Sequence, residues 1–136
     1  MARADPALAF ARIVLVLSAI PFAVIGAAFT LYPARMGDLV GLSMDGSTAV
    51  ADVRAVYGGL QLGCAVFLAL AARNAPWCRA GLAAQLALYG GLAGARFVSY
   101  LASGLPSLLG MTLHTGELAG LALGVVAWRR CSKSLR

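Results

Sequence analysis

Four hydrophobic runs, each about 20 residues long, constrain this chain more than any other feature of its sequence. They cover residues 13–32, 52–72, 80–102 and 107–128, with more polar or turn-forming segments between them. An α-helix of about 20 apolar residues spans the hydrocarbon core of a bilayer, which is roughly 30 Å thick. The alternation of polar and apolar residues that a transmembrane barrel needs is absent. The sequence therefore predicts an all-α fold, a four-helix transmembrane bundle that forms a single integral membrane domain over residues 1–136.

Composition and charge agree with a membrane location. Hydrophobic residues make up 61% of the chain and charged residues 12%, far from the balance of soluble domains. Cytoplasmic loops of membrane proteins collect Lys and Arg, and here most basic residues fall on one side of a four-helix chain, which predicts that both termini are cytoplasmic. These residues are Arg3, Arg12, Arg73, Arg79, Arg129, Arg130, Lys133 and Arg136. Because this asymmetry and anionic lipid account for the net charge of +6, we expect the lipid bilayer and no nucleic acid as a partner.

The residues that usually bind metals are sparse. The chain has one histidine and three cysteines, Cys64, Cys78 and Cys131, and no CxxC motif. Zinc and similar ions need three or four such ligands in one place. The sequence therefore predicts no metal site, and it points to no cofactor.

The segment between the first two runs, residues 34–44, is short and half apolar. Such a segment favours either a short helix lying along the membrane interface or a plain loop. The pattern does not choose between the two.

A single arginine, Arg96, interrupts the apolar sequence GLAGARFVSYL, residues 91–101. A charge at membrane depth costs about 3 kcal/mol, so such residues usually have a partner or a function. Within each of the last three runs the polar residues recur at helical spacing, which places them on one face. We therefore predict that these residues line a ligand-binding pocket, namely Arg54, Tyr57, Gln61, Tyr89, Arg96, His114 and Glu117.

The directions of the helices bring two of these residues together. Side chains lean toward the N-terminus of their helix, so Arg96 and Glu117, on antiparallel helices, lean toward each other. The sequence predicts an ion pair between them, with His114 one turn from the carboxylate and Arg54 closing the outer mouth. Two arginines facing one deep carboxylate leave a spare positive charge, which suits an anionic or carbonyl-bearing ligand.

Two other interpretations stay open. The pair Arg96–Glu117 is also what a structural ion pair needs, and the protein would then be a non-catalytic accessory or assembly subunit of a membrane complex. Alternatively, His114 and Glu117 are candidate catalytic residues that act as acid and base. Glycines at four-residue spacing predict close helix packing, and one set is a candidate interface with a partner subunit or in a homodimer. These glycines are Gly59 and Gly63, Gly90 and Gly94, and the candidate interface set Gly116, Gly120 and Gly124.

The sequence DVRAVYGGLQLG, residues 52–63, carries a resemblance. An acidic or amide residue, then x-Arg-Ala-x-Tyr-Gly-Gly, with Arg96 and Glu117 further on, resembles an uncharacterised family of small bacterial four-helix membrane proteins near the DoxX-like group. That resemblance implies a four-helix topology and a membrane location, and it supplies no reaction. Ten arginines against one lysine suit a bacterial genome rich in G and C, so the bacterial inner membrane is the expected location.

Overall fold

The first hydrophobic run lies inside a longer helix, α1 (Pro6–Leu31). Asp5 caps it by accepting a hydrogen bond from the backbone N–H of Ala7 at 2.9 Å, and Pro6 occupies the first turn, where its missing N–H costs nothing. A second, short helix, α2 (Pro33–Val40), follows almost at once and ends at Gly41, whose φ of 75° suits glycine. The segment that the sequence left undecided therefore contains a helix.

Three long helices complete the fold. They are α3 (Gly46–Arg73), α4 (Cys78–Ser103) and α5 (Leu108–Ser134), with a short turn of helix at Ala75–Trp77 between α3 and α4. The computed structural model describes residues 5–134, with side chains over 5–132, and within this part the elements are all helical. The predicted all-α class is confirmed. The basic side chains of Arg3, Lys133 and Arg136 lie outside the described residues.

The long helices extend beyond the predicted bounds. Helix α3 begins at Gly46 rather than at residue 52, and α5 continues to Ser134 rather than ending at 128. A hydropathy pattern marks only the apolar part of a helix, whereas backbone hydrogen bonds continue into polar sequence until a capping or turn residue stops them.

Three helices are long and apolar enough to cross a membrane: Pro6–Leu31, Gly46–Arg73 and Leu108–Ser132. Helix α4 has 26 residues, which is length enough, but it is not among the three. Its sequence is rich in Gly and Ala and contains Gln85 and Arg96, which lower its hydropathy. The structure therefore supports a helical membrane protein with three candidate spans among its described residues.

Contacts between named residues show that neighbouring long helices run antiparallel, with α1 packed against the other three. We call the end where α1 and α4 finish the α2 end, and the opposite end the terminus end. The hydrophobic core lies toward the terminus end, where Leu15, Leu68 and Leu82 are fully buried. Many other large apolar side chains, such as Leu17 and Val24, are more than half exposed, as expected for a surface that faces lipid.

Glycine permits two close helix crossings. A Cβ on Gly26 would lie 2.9 Å from the carbonyl oxygen of Gly58 and from the backbone nitrogen of Leu62, so α1 and α3 touch backbone to backbone there. A Cβ on Gly120 would overlap Tyr89, and one on Gly124 would overlap Gln85. Two glycines of the set predicted as a candidate interface thus pack inside the bundle, whereas a Cβ on Gly116 would meet nothing within 4 Å.

Candidate functional site

The ion pair between α4 and α5 is the centre of the site. The Nε–H of Arg96 donates to both oxygens of Glu117, at 2.8 Å to Oε1 and 3.0 Å to Oε2. The Glu117 side chain is 10% exposed and that of Arg96 is 34% exposed. The Arg96 side chain is therefore partly exposed, whereas the carboxylate that it contacts is nearly buried.

The contact uses only one of the donors of the guanidinium. A typical Arg–carboxylate pair is bidentate and engages two N–H groups side by side. Within the described residues, the two terminal amino groups of Arg96 make no hydrogen bond. Their N–H groups are available to an acceptor that is not part of this chain.

Arg96 and Glu117 both line a cavity of about 920 Å³ at the α2 end of the bundle. All five helices or the segments that join them contribute to its wall. Helix α1 supplies Phe22 and Phe29, α3 supplies Tyr57 and Gln61, and α4 supplies Tyr89 and Arg96, while Glu117 and Leu113 come from α5. Most of the wall is apolar or aromatic, and a few polar side chains such as Arg96 and Glu117 lie among these residues. This composition is usual for a small-molecule pocket.

Two aromatic pairs shape the wall. Tyr89 meets Phe22 edge to face, with ring centroids 5.5 Å apart, and Tyr57 stacks on Phe29 at 5.2 Å. The hydroxyl of Tyr89 also donates to the carbonyl oxygen of Ser18 at 3.1 Å, which fixes its ring at the floor of the cavity. The hydroxyl of Tyr57 has no such partner among the described residues and remains available.

Five of the seven predicted site residues line this cavity: Tyr57, Gln61, Tyr89, Arg96 and Glu117. His114 does not line it. Its ring packs edge to face on Tyr100 at 5.1 Å, and its Nδ1 lies 3.7 Å from Glu117 Oε2, too far for a hydrogen bond. The candidate acid His114 therefore lies near Glu117 but is not part of the cavity wall.

Arg54 is exposed and lies outside the cavity wall, so the structure does not bring it together with the other site residues. The reason is local. Residues Arg54–Gly59 form a π-helical segment, in which the N–H of Leu60 bonds to the carbonyl of Ala55, five residues back. The wider turn shifts Arg54 off the stripe that contains Tyr57 and Gln61.

Asp38 lines the cavity but was not among the predicted site residues. Asp38 lies on α2, which reaches over the α2 end of the cavity together with Gly41 and Leu42. Asp38 is exposed although it borders the cavity, and the buried residues of α2 are Pro33 and Gly37. The available signal was the half-apolar pattern of this segment, which is typical of a helix with one sheltered face. Among the described residues there is no group of three His, Cys, Asp or Glu side chains arranged to hold a metal ion.

The segment that distinguishes this sequence, Arg54-Ala55-Val56-Tyr57-Gly58-Gly59, is thus the distorted turn that places Tyr57 at the cavity. Residues 10–128 match the family described as a domain of unknown function, DUF4345. The chain belongs to this family. No curated protein and no solved structure matches it. Membership in DUF4345 agrees with the expected uncharacterised family and adds no reaction or ligand.

Proposed function

We propose that this DUF4345 protein binds a small lipophilic or anionic molecule in the cavity beside Arg96. One observation carries the proposal: Arg96 holds Glu117 with its Nε–H alone, while its terminal amino groups have no partner among the described residues. An arginine kept at membrane depth only to neutralise a carboxylate would be expected to use its paired donors. The same arginine lines a cavity of about 920 Å³, and a polar group in the wall of an apolar cavity is what a ligand site requires.

The membrane arrangement is part of this proposal. In it, α1, α3, α4 and α5 all cross the bilayer, and the protein is a four-helix transmembrane bundle of the bacterial inner membrane. Helix α4 is less apolar than the other three, and its fully buried Gln85 donates through Nε2 to the carbonyl of Gly120 at 2.7 Å, while its Oε1 has no hydrogen-bond partner within the described residues. Gln85 and Arg96 thus both direct a polar contact toward α5 rather than toward lipid, which is compatible with a membrane span.

Charge supports one orientation. Arg12, Arg73, Arg79, Arg129 and Arg130 lie toward the terminus end, and α2 with its flanking loop contains Arg35, Asp38 and Asp45. By the positive-inside rule the terminus end faces the cytoplasm, so the cavity opens outward.

Labelling with an impermeant thiol reagent tests this orientation. Cys78 and Cys131 are buried and therefore unsuitable as labelling sites. They are replaced by Ala, and single cysteines are introduced at exposed positions. We expect Ser43→Cys to react in intact cells and Asn74→Cys to react only after lysis. The reverse pattern would invert the topology.

The ligand itself is tested by native mass spectrometry of the protein purified in a mild detergent, with extraction of the same sample. We expect a defined molecule to accompany the wild type and to be lost in Arg96→Gln. Arg54→Gln is the matched control, because it removes an exposed arginine that does not line the cavity. A protein that is empty in all three forms contradicts the proposal.

An accessory role is a second proposal with its own support. Gly63 and Gly94 face open space, and a Cβ placed on either would meet nothing within 4 Å. Helices of a partner subunit, or of a second copy in a homodimer, dock closely on such positions. In this case Gly63→Leu would release the partner without affecting any molecule in the cavity. We also propose, from the sequence motif alone, a distant relation to the DoxX-like group.

A further inference from the structure

The charges around the cavity narrow the chemistry of its ligand, given the proposed function. Three charged residues line the wall within the described part of the chain: Arg96, Glu117 and Asp38. Arg96 already has Glu117 at 2.8 Å, whereas the Asp38 carboxylate makes no hydrogen bond or ion pair within the described side chains. The wall therefore presents one cation and two anions.

An anionic ligand is poorly matched to this balance. It would be attracted to Arg96 but repelled by Glu117, which sits next to the same guanidinium, and again by Asp38. It would also lose its hydration on entering a mainly apolar cavity, which is costly for a charge without full compensation. The spare positive charge expected from the sequence is absent here, because Arg54 does not line the cavity.

An uncharged acceptor meets none of these costs. The terminal amino groups of Arg96 need oxygen acceptors, and a carbonyl oxygen accepts their N–H groups without adding charge. The rest of the wall, including Phe22, Phe29 and Leu113, favours an apolar body attached to that oxygen.

We propose that the ligand is an uncharged lipophilic molecule whose polar end is a carbonyl oxygen, bound by the terminal amino groups of Arg96. Asp38, on α2 at the end of the cavity, discriminates against anions. The position of Asp38 thus makes α2 a specificity element rather than only a connection between α1 and α3.

Two probes with the same chain test this charge preference. Methyl oleate carries an uncharged ester carbonyl, and oleate carries a carboxylate that is ionised at a pH of about 9. Apparent dissociation constants are measured by native mass spectrometry at equal mole fractions of probe in the detergent micelle. We expect the wild type to bind methyl oleate about tenfold more tightly than oleate.

Substitutions then assign the preference. Asp38→Asn is expected to tighten oleate binding about threefold and to leave methyl oleate unchanged, the effect of one partly screened charge. Asp45→Asn is the control and should change neither value, because Asp45 is exposed like Asp38 but lies outside the cavity wall. Arg96→Gln should weaken both probes.

The outcomes separate the two proposals. Oleate binding as tightly as methyl oleate, or more tightly, overturns the charge preference and leaves a ligand site in place. A preference that Asp38→Asn does not alter overturns the role of Asp38. If neither probe binds and no endogenous molecule accompanies the wild type, the proposed function itself fails.

Discussion

The terminus end and the α2 end of the bundle are built from the same four long helices but are packed differently. Toward the terminus end, Leu15, Leu68 and Leu82 are fully buried, and Gly124 admits the side chain of Gln85. Toward the α2 end, aromatic rings and one ion pair border a cavity of about 920 Å³. The difference indicates that the terminus end supplies most of the stability, which allows the α2 end to contain a cavity.

The largest test of this contrast is a pair of leucine truncations. Leu68→Ala removes a side chain with no exposed surface, and we expect it to cost about 3 kcal/mol through the contacts it loses. Leu113→Ala should cost about 1 kcal/mol, because Leu113 lines the cavity and has fewer packed neighbours to lose. Thermal or dodecyl sulfate unfolding in detergent measures both values. Equal losses would mean that the two ends are equally packed.

A smaller effect is expected from the glycine crossing. A Cβ at Gly26 would press on the backbone of α3, so Gly26→Ala should destabilise the protein by about 2 kcal/mol. At Gly63 the same substitution meets nothing within 4 Å, and it should raise stability by up to about 1 kcal/mol through helix propensity. The same unfolding assay compares the two, and a tolerated Gly26→Ala would show that α1 and α3 are not in backbone contact.

The smallest effect concerns two tyrosine hydroxyls. Tyr89→Phe loses the hydrogen bond to Ser18 and should cost about 1 kcal/mol. Tyr57→Phe should leave stability almost unchanged, since the Tyr57 hydroxyl has no partner among the described residues. Ligand retention in native mass spectrometry measures its contribution to binding. A costly Tyr57→Phe substitution in the empty protein would contradict the assignment of that hydroxyl to the cavity.

The sequence was most informative where spacing alone determines position. Regular helices on either side of a short turn place Arg96 and Glu117 at similar depth. In the structure Arg96 Nε lies 2.8 Å from Glu117 Oε1. Hydropathy also identified the apolar part of each long helix. The helix ends were less accurate, because polar residues such as those at 46–51 continue the backbone hydrogen bonding of α3 without an apolar signal.

The site was harder to predict for two physical reasons. The stripe of Arg54, Tyr57 and Gln61 assumed a uniform 3.6-residue period, which the π-helical segment Arg54–Gly59 breaks. Asp38 reaches the cavity through the fold of α2 over the end of the bundle, a long-range contact that local periodicity does not contain. The unused donors of Arg96 depend on side-chain geometry and have no sequence signal.

The position of α1 also bears on how the chain assembles. Of the five helices, α1 is synthesised before the others, and it packs against α3, α4 and α5. Each later helix therefore packs on a surface of α1 that is already present. Helix α3 contacts Gly26, and Tyr89 of α4 donates to the Ser18 carbonyl. Cys131 Sγ of α5 lies 3.7 Å from the carbonyl oxygen of Ala7. Synthesis in this order lets the bundle be built outward from its first helix, with the cavity completed only when the ion pair between the last two helices forms.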